Sequence, residues 1–201
     1  LNASSNLYNV KILSNNNWYS FNLYSNGQRI PLFTPGEILV DKRNSQWKWI
    51  PLCRDNTGII LLNDNGTPTN PDDDRSMYHN QWYDQNGERV MPEEIYCIAQ
   101  DHEGVIWVGT SSGIFTIPET VDFFLSNRCE RIIILRNDGT NLGDYLLGSE
   151  QINCIAVDGA NRKWIGTAAS GIFLLSESGK ETIAHFTTEN SLLPSNKVLS
   201  I

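Results

Sequence analysis

An all-β fold is predicted for this 201-residue chain by three features: a duplicated block, short apolar segments parted by turn residues, and recurring Asn-Gly and Asp-Gly pairs. One copy reads Glu94-Ile-Tyr-Cys-Ile-Ala-Gln-Asp101, Ile106-Trp-Val-Gly-Thr110 and Ser112-Gly-Ile-Phe115. The other reads Gln151-Ile-Asn-Cys-Ile-Ala-Val-Asp158, Lys163-Trp-Ile-Gly-Thr167 and Ser170-Gly-Ile-Phe173. Subtracting Cys97 from Cys154, Asp101 from Asp158 and Trp107 from Trp164 gives 57 each time, which marks a true repeat. No stretch of about 11 residues or more holds a 3.6-residue apolar period, so the units are built of strands. Asn26-Gly27, Asn65-Gly66, Asn86-Gly87 and Asp138-Gly139 supply the paired positive φ angles that two-residue hairpins need.

A unit of this length exceeds a small propeller blade of about 40 to 45 residues by a loop, and fits four strands with one long connection. The chain therefore reads as a β-propeller fragment of about three four-stranded blades plus the start of another. In order, residues 1–36 are the end of a preceding blade, 37–93 a divergent repeat, 94–150 and 151–187 the clear repeats, and 188–201 the start of the next. The divergent unit carries Glu37-Ile-Leu-Val-Asp41, Lys48-Trp-Ile50 and Gly58-Ile-Ile60; it lacks the Gly-Thr pair, and Trp47 competes with Trp49 for the tryptophan slot. Leu193-Pro-Ser-Asn-Lys-Val-Leu-Ser-Ile201 resembles the opening strand of a further unit. Beginning at Leu1 and stopping at Ile201, the chain is expected to be a piece of a longer one. Closure takes about four to eight blades, so either an open arc or a ring completed by other parts is expected.

Stacked sheets bury both faces of a central strand, which accounts for Val105-Ile-Trp-Val108 and Lys163-Trp-Ile165. The repeat positions are assigned architectural roles on that basis. Trp49, Trp107 and Trp164 fill the space between sheets. Gly109 and Gly166 allow a neighbouring chain to approach, ahead of Thr110 and Thr167, while Gly58, Gly113 and Gly171 open the next strand. Asp41, Asp101 and Asp158 precede tight turns whose backbone N–H groups a short carboxylate accepts, with Gly104 completing the turn from Asp101.

The composition narrows function. With 23 acids against 15 bases the formal charge is −8, so no basic field attracts nucleic acid. No apolar run reaches the roughly 20 residues of a membrane helix, and Leu1–Asn6 shows no targeting signal of its own. Cys53, Cys97, Cys129 and Cys154 form no CxxC pair and read as buried thiols. His79, His102 and His185 match no metal or catalytic spacing, and no GxSxG, P-loop or GxGxxG occurs, so catalysis, a cofactor and a metal site are not indicated. Asp72-Asp73-Asp74 reads as a solvated loop and Asp84–Glu88 as a hairpin turn, neither having a calcium-loop frame. Trp18, Tyr19, Tyr24, Tyr78, Trp82 and Tyr83 lie outside the tryptophan slot among Asn and Gln residues; they either cover outer strands and loops or form sugar platforms.

The pattern I-x-x-I-x-x-D, G-x-I-W-V-G-T and S-G-I-F resembles the two-component regulator propeller repeat of Bacteroidetes proteins over about residues 37–201. Arg136–Leu147, Asp158–Thr167 and His185–Asn196 are most similar to the PorZ-like group of type IX secretion accessory proteins. The resemblance implies a noncatalytic binding and scaffold module, exported to the periplasm or the outer-membrane surface. It also implies as partners a glycan or lipopolysaccharide, proteins of an envelope complex and the remaining blades of the parent chain. The alternative it implies is the ligand-sensing propeller of a hybrid two-component system responding to glycan fragments.

Overall fold

The computed structural model describes residues 10–30, 34–118, 122–136, 139–140 and 142–201. Strands β1 (Val10–Ser14) and β2 (Asn17–Phe21) form a hairpin, as do β3 (Tyr24–Ser25) and β4 (Gln28–Arg29). Sheet I follows, antiparallel in the order β5 (Leu39–Val40), β6 (Trp47–Leu52), β7 (Gly58–Asn63), β8 (Arg75–His79). A short hairpin, β9 (Trp82–Tyr83) and β10 (Arg89–Val90), leads to sheet II: β11 (Ile95–Gln100), β12 (Ile106–Thr110), β13 (Gly113–Ile117). The hairpin of β14 (Ile133–Leu135) and β15 (Gly143–Tyr145) leads to sheet III: β16 (Ile152–Val157), β17 (Lys163–Thr167), β18 (Ile172–Leu175), β19 (Thr182–Phe186). No α-helix occurs among the described residues.

Each sheet is a partition between two apolar layers, because alternate residues of a strand face opposite ways. Ile50, Leu52, Ile60 and Leu62 of sheet I pack with Phe21, Leu23 and Ile30 of the first hairpins. Their neighbours Trp49, Ile59 and Leu61 turn the other way and meet Ile106, Val108, Phe115 and Ile117 of sheet II. Trp107 and Ile114 leave the far side of sheet II and meet Ile152, Ile165 and Leu175 of sheet III. Full burial of one such side chain is worth about 1.5 to 3 kcal/mol, so neighbouring sheets stabilise one another strongly. Sheets I, II and III thus follow in series as a partial β-propeller, and no apolar cluster among the described residues joins the first hairpins to sheet III.

A β-bulge recurs at the same point of β11 and β16, between Ile95 and Cys97 and between Ile152 and Cys154. Beyond sheet III, Val198 N–H donates to Thr167 O at 2.9 Å and Gly171 N–H to Asn196 O at 2.8 Å. The second contact repeats Gly113 N–H to Glu150 O at 2.8 Å, so residues 196–198 sit on sheet III as residues 150–152 sit on sheet II. Measured on these contacts the spacing is 46, from Ile152 to Val198, against 57 from Ile95 to Ile152. The excess contains the β14–β15 hairpin.

Several expectations are corrected. The middle unit is not four-stranded: its outer place is held by a single bridge, Thr116 to Glu130, because residues 127–130 share their hydrogen bonds between β13 and β9. Asn26-Gly27, at φ +50° and +76°, closes the β3–β4 hairpin as anticipated. Asn65-Gly66 has the same angles but closes no hairpin, since the chain runs on through a 3₁₀ turn, Pro71–Asp73, before β8 begins. In the β9–β10 loop only Gly87 has positive φ; Asp84 accepts the amides of Asn86 and Glu88, which supports a longer loop than a two-residue turn. Gly139 lies between β14 and β15, whereas Asp138 is outside the described residues.

The outer edges are covered by the hairpin that comes before each sheet. Against β8, Tyr24 N–H donates to Ser76 Oγ (3.2 Å), Ser76 Oγ donates to Tyr24 O (2.6 Å) and Tyr78 N–H to Ser25 Oγ (3.1 Å). Against the outer segment of sheet II, Tyr83 N–H donates to Asn127 O and Cys129 N–H to Tyr83 O, both at 3.0 Å. Exposed edge strands invite pairing with foreign chains, and these contacts remove that opportunity.

Candidate functional site

Three carboxylates each close a turn and hold an indole. Asp41 accepts from Arg43 N (2.9 Å), Asn44 N (3.3 Å) and Trp49 Nε1 (3.1 Å). Asp101 accepts from Glu103 N (3.0 Å), Val105 N (2.9 Å) and Trp107 Nε1 (2.9 Å). Asp158 accepts from Ala160 N (2.9 Å), Arg162 N (3.0 Å) and Trp164 Nε1 (3.1 Å). Trp49, rather than Trp47, occupies the tryptophan slot of the divergent unit; Trp47 packs edge-on against Phe124. Burial alone would raise the Asp41 carboxyl, but hydrogen bonds from Arg43, Gln100 and Trp49 outweigh it and hold it at about 2. The same opposition lowers Asp101, where Trp107 and Lys163 supply the bonds, and brings Asp158 to about 2.

The turns are tied to one another in series. Lys42 N–H donates to Gln100 Oε1 at 2.7 Å, and its ammonium to Gln100 O at 2.8 Å. His102 N–H donates to Asn161 Oδ1 at 2.9 Å. Between sheets II and III, Lys163 Nζ lies 3.1 Å from Asp101 Oδ2 and donates to Glu177 O at 2.5 Å. This lysine is fully buried, with its ammonium 4.8 Å from the centre of the Trp107 ring. In sequence Lys163 reads as one polar residue in an apolar strand; its carboxylate partner stands one repeat earlier, where no local pattern announces it.

The glycines and threonines of the repeat meet close neighbours. A Cβ on Gly109 would lie 2.5 Å from Cys97 Sγ and 2.7 Å from Ile152 Cγ2; on Gly166, 2.4 Å from Cys154 Sγ and 2.7 Å from Val198 Cγ1. Thr110 Oγ1 donates to Gly113 O and Thr167 Oγ1 to Gly171 O, at 2.9 and 3.0 Å. Gly104 sits under the Arg43 side chain, and Gly58 under Tyr78.

The remaining singled-out residues scatter. Trp18 is 67% exposed, and Tyr19, Tyr24 and Tyr83 are also exposed, on three different hairpins. Trp82 is a correction to the platform idea, because it is fully buried against Phe115 with ring centroids 4.9 Å apart. Tyr78 is half-buried and donates to Asn56 O at 2.8 Å. His102 is exposed; His79 bonds Phe123 O at 2.8 Å and His185 bonds Ser170 O at 2.6 Å. All four cysteines are free thiols, of which Cys129 is buried and the others half-buried. Burial pushes Cys97 and Cys129 up to about 12, so neither is a thiolate nucleophile at neutral pH. Among the described residues no three His, Cys, Asp or Glu side chains converge as metal ligands.

In the acidic loop, burial, then the charges of Asp64 and Asp73, raise the Asp74 carboxyl from 3.8 to about 6. One of its oxygens is buried without a partner. A folded value above the unfolded one means that stability is lost as pH rises from about 4 through 6. Asp74→Asn is therefore expected to raise the melting temperature at pH 7 by about 2 to 4 °C and to leave it unchanged at pH 4. Equal gains at both pH values would exclude the charge as the cause.

Residues 90–112 match the family model described as Two component regulator propeller. The stretch runs from β10 to the turn after β12 and so contains the Asp101–Trp107 unit. Across 92% of the chain the fold is similar to PorZ, described as an essential bacterial surface component of the type-IX secretion system of Porphyromonas gingivalis, with 30% identity and a TM-score of 0.79. The chain spans a quarter of that structure, 25% of its length. It is also similar to the extracellular domain of a hybrid two component system from B. thetaiotaomicron, at 22% identity and a TM-score of 0.51 over 81% of this chain and 17% of that one. A one component system domain from the same organism gives 17% and 0.55 over 83% of this chain and 21% of that one. A search of curated proteins returned no match. The fold is thus a β-propeller module related to extracellular sensor and scaffold domains.

Proposed function

We propose that the chain is part of an exported, noncatalytic PorZ-like propeller that engages surface glycolipid or partner proteins of a secretion and attachment machinery. The observation that carries this reading is the similarity to PorZ at a TM-score of 0.79 over 92% of the chain. The side-chain chemistry agrees with it: the depressed carboxylates hold turns and indoles, and the thiols with raised values are protonated. The remaining blades of the parent chain are the expected partners of sheet III, whose outer face carries Trp164 stacked on Phe186 at 5.9 Å. Disrupting the gene in its native bacterium should leave secreted cargo unattached to the cell surface, and the purified full-length protein should bind extracted lipopolysaccharide. Normal cargo attachment, together with a transcriptional response to glycan fragments that needs the gene, would instead support the sensor reading.

A further inference from the structure

Two guanidinium groups line one small cleft at the outer side of sheet II, in a chain whose formal charge is −8. The cleft holds about 210 Å³; Arg89, Met91 and Pro92 border it on one side, Ser112 and Arg131 elsewhere, above Phe115. Arg131 is fixed in place. Its N–H donates to Gln85 Oε1 (2.9 Å), its carbonyl accepts from Gln85 Nε2 (2.8 Å), and its guanidinium lies 3.2 Å from the centre of the Tyr145 ring. The Tyr145 hydroxyl donates to Glu88 Oε2 at 2.9 Å, and that carboxylate stands 3.9 Å from Arg131. Arg89 donates to Met91 Sδ at 3.0 Å, a weak acceptor, and pairs with no carboxylate among the described residues.

The neighbouring repeat shows what such a place accepts. Ser170 corresponds to Ser112: each donates its N–H to the hydroxyl of the preceding repeat threonine, at 2.8 Å to Thr167 and 3.1 Å to Thr110. In sheet III the Ser170 hydroxyl donates to Glu150 Oε2 at 2.8 Å, so a carboxylate of the chain itself fills the position. Ser112 has no such carboxylate, and its cleft presents two arginines instead. We propose that the cleft between Arg89, Arg131 and Ser112 binds the oxyanion of an acidic saccharide, which takes the part that Glu150 plays for Ser170. Arginine forks match carboxylate and phosphate oxygens in pairs, the serine hydroxyl donates a further bond, and the volume suits about one sugar ring. The choice of a saccharide rests on the proposed glycan-binding function; the oxyanion rests on the cleft alone.

Calorimetry on the full-length protein tests it with glucuronate, glucose 6-phosphate, glucose and an acetylated dipeptide with a free carboxylate. Glucuronate or the phosphosugar should bind at least about tenfold more tightly than glucose, and more weakly as salt is raised. Arg89→Ala, at an exposed side chain, should cost about tenfold, and Ser112→Glu, which supplies the missing carboxylate, should abolish binding. Glycan binding that is equal for glucose and glucuronate, or unchanged in both variants, overturns the site and leaves the glycan function standing. Dipeptide binding as tight as glucuronate and lost in both variants overturns the saccharide, and silence toward every sugar overturns it together with the glycan function.

Discussion

Asp101→Ala is expected to lower the unfolding free energy by about 3 to 5 kcal/mol, because it strands a buried cation. Lys163 has no exposed surface, and without Asp101 its ammonium would keep only the Glu177 carbonyl and the Trp107 ring. The same change orphans the Trp107 N–H and the turn amides of Glu103 and Val105. Lys163→Met removes the charge while leaving Asp101 its indole and turn amides, so it should cost clearly less, and Asp101→Asn with Lys163→Met should recover part of the loss. Because the folded Asp101 carboxyl lies below its ordinary value, its contribution is complete above about pH 4 and disappears as pH falls through the folded value. Denaturant melts of the full-length protein, with Glu103→Ala as an exposed comparison, decide the point. A cost for Asp101→Ala no greater than for Glu103→Ala would end the idea of an inter-sheet latch.

Gly171→Ala should be nearly as damaging, at about 3 kcal/mol or more. Its Cβ would stand 2.1 Å from the carbonyl oxygen of Phe186, a backbone atom that moves only with the strand, and the residue has φ of +79°. Gly27→Ala isolates the conformational part: φ is +76° there, but nothing lies within 4 Å of the added carbon. That variant should cost about 1 kcal/mol. If the two substitutions lowered thermal stability equally, crowding at the β18–β19 edge would not be the reason for glycine.

The tryptophan units were legible from sequence because a buried central strand, a close-approach glycine and a carboxylate turn are all local demands, and each leaves its residue within about ten positions of the others. Thr110 and Thr167 share one hydrogen-bonding role, and Gly109 and Gly166 lie against equivalent cysteines. What stayed hidden depends on register or on distant partners. Trp49 owns the slot because it pairs with Leu39, which brings its indole to Asp41, and either tryptophan would satisfy composition. Trp82 looks like a loop aromatic beside Gln81 and Tyr83, yet the β9–β10 hairpin folds it into the layer between sheets I and II. The candidate oxyanion cleft was out of reach for the same reason: Arg89 and Arg131 belong to different connections, and only the Gln85 amide bonds bring the second beside sheet II.

The hairpins that cover the outer edges have a temporal meaning. Tyr24 and Ser25 precede the strand they guard, Arg75–His79, and Tyr83 precedes residues 127–130. As the chain leaves a ribosome or a translocation pore, each guard is already present when its vulnerable rim emerges. Assembly is thereby biased to run from the amino end, with every finished sheet shielded before the following one can mispair.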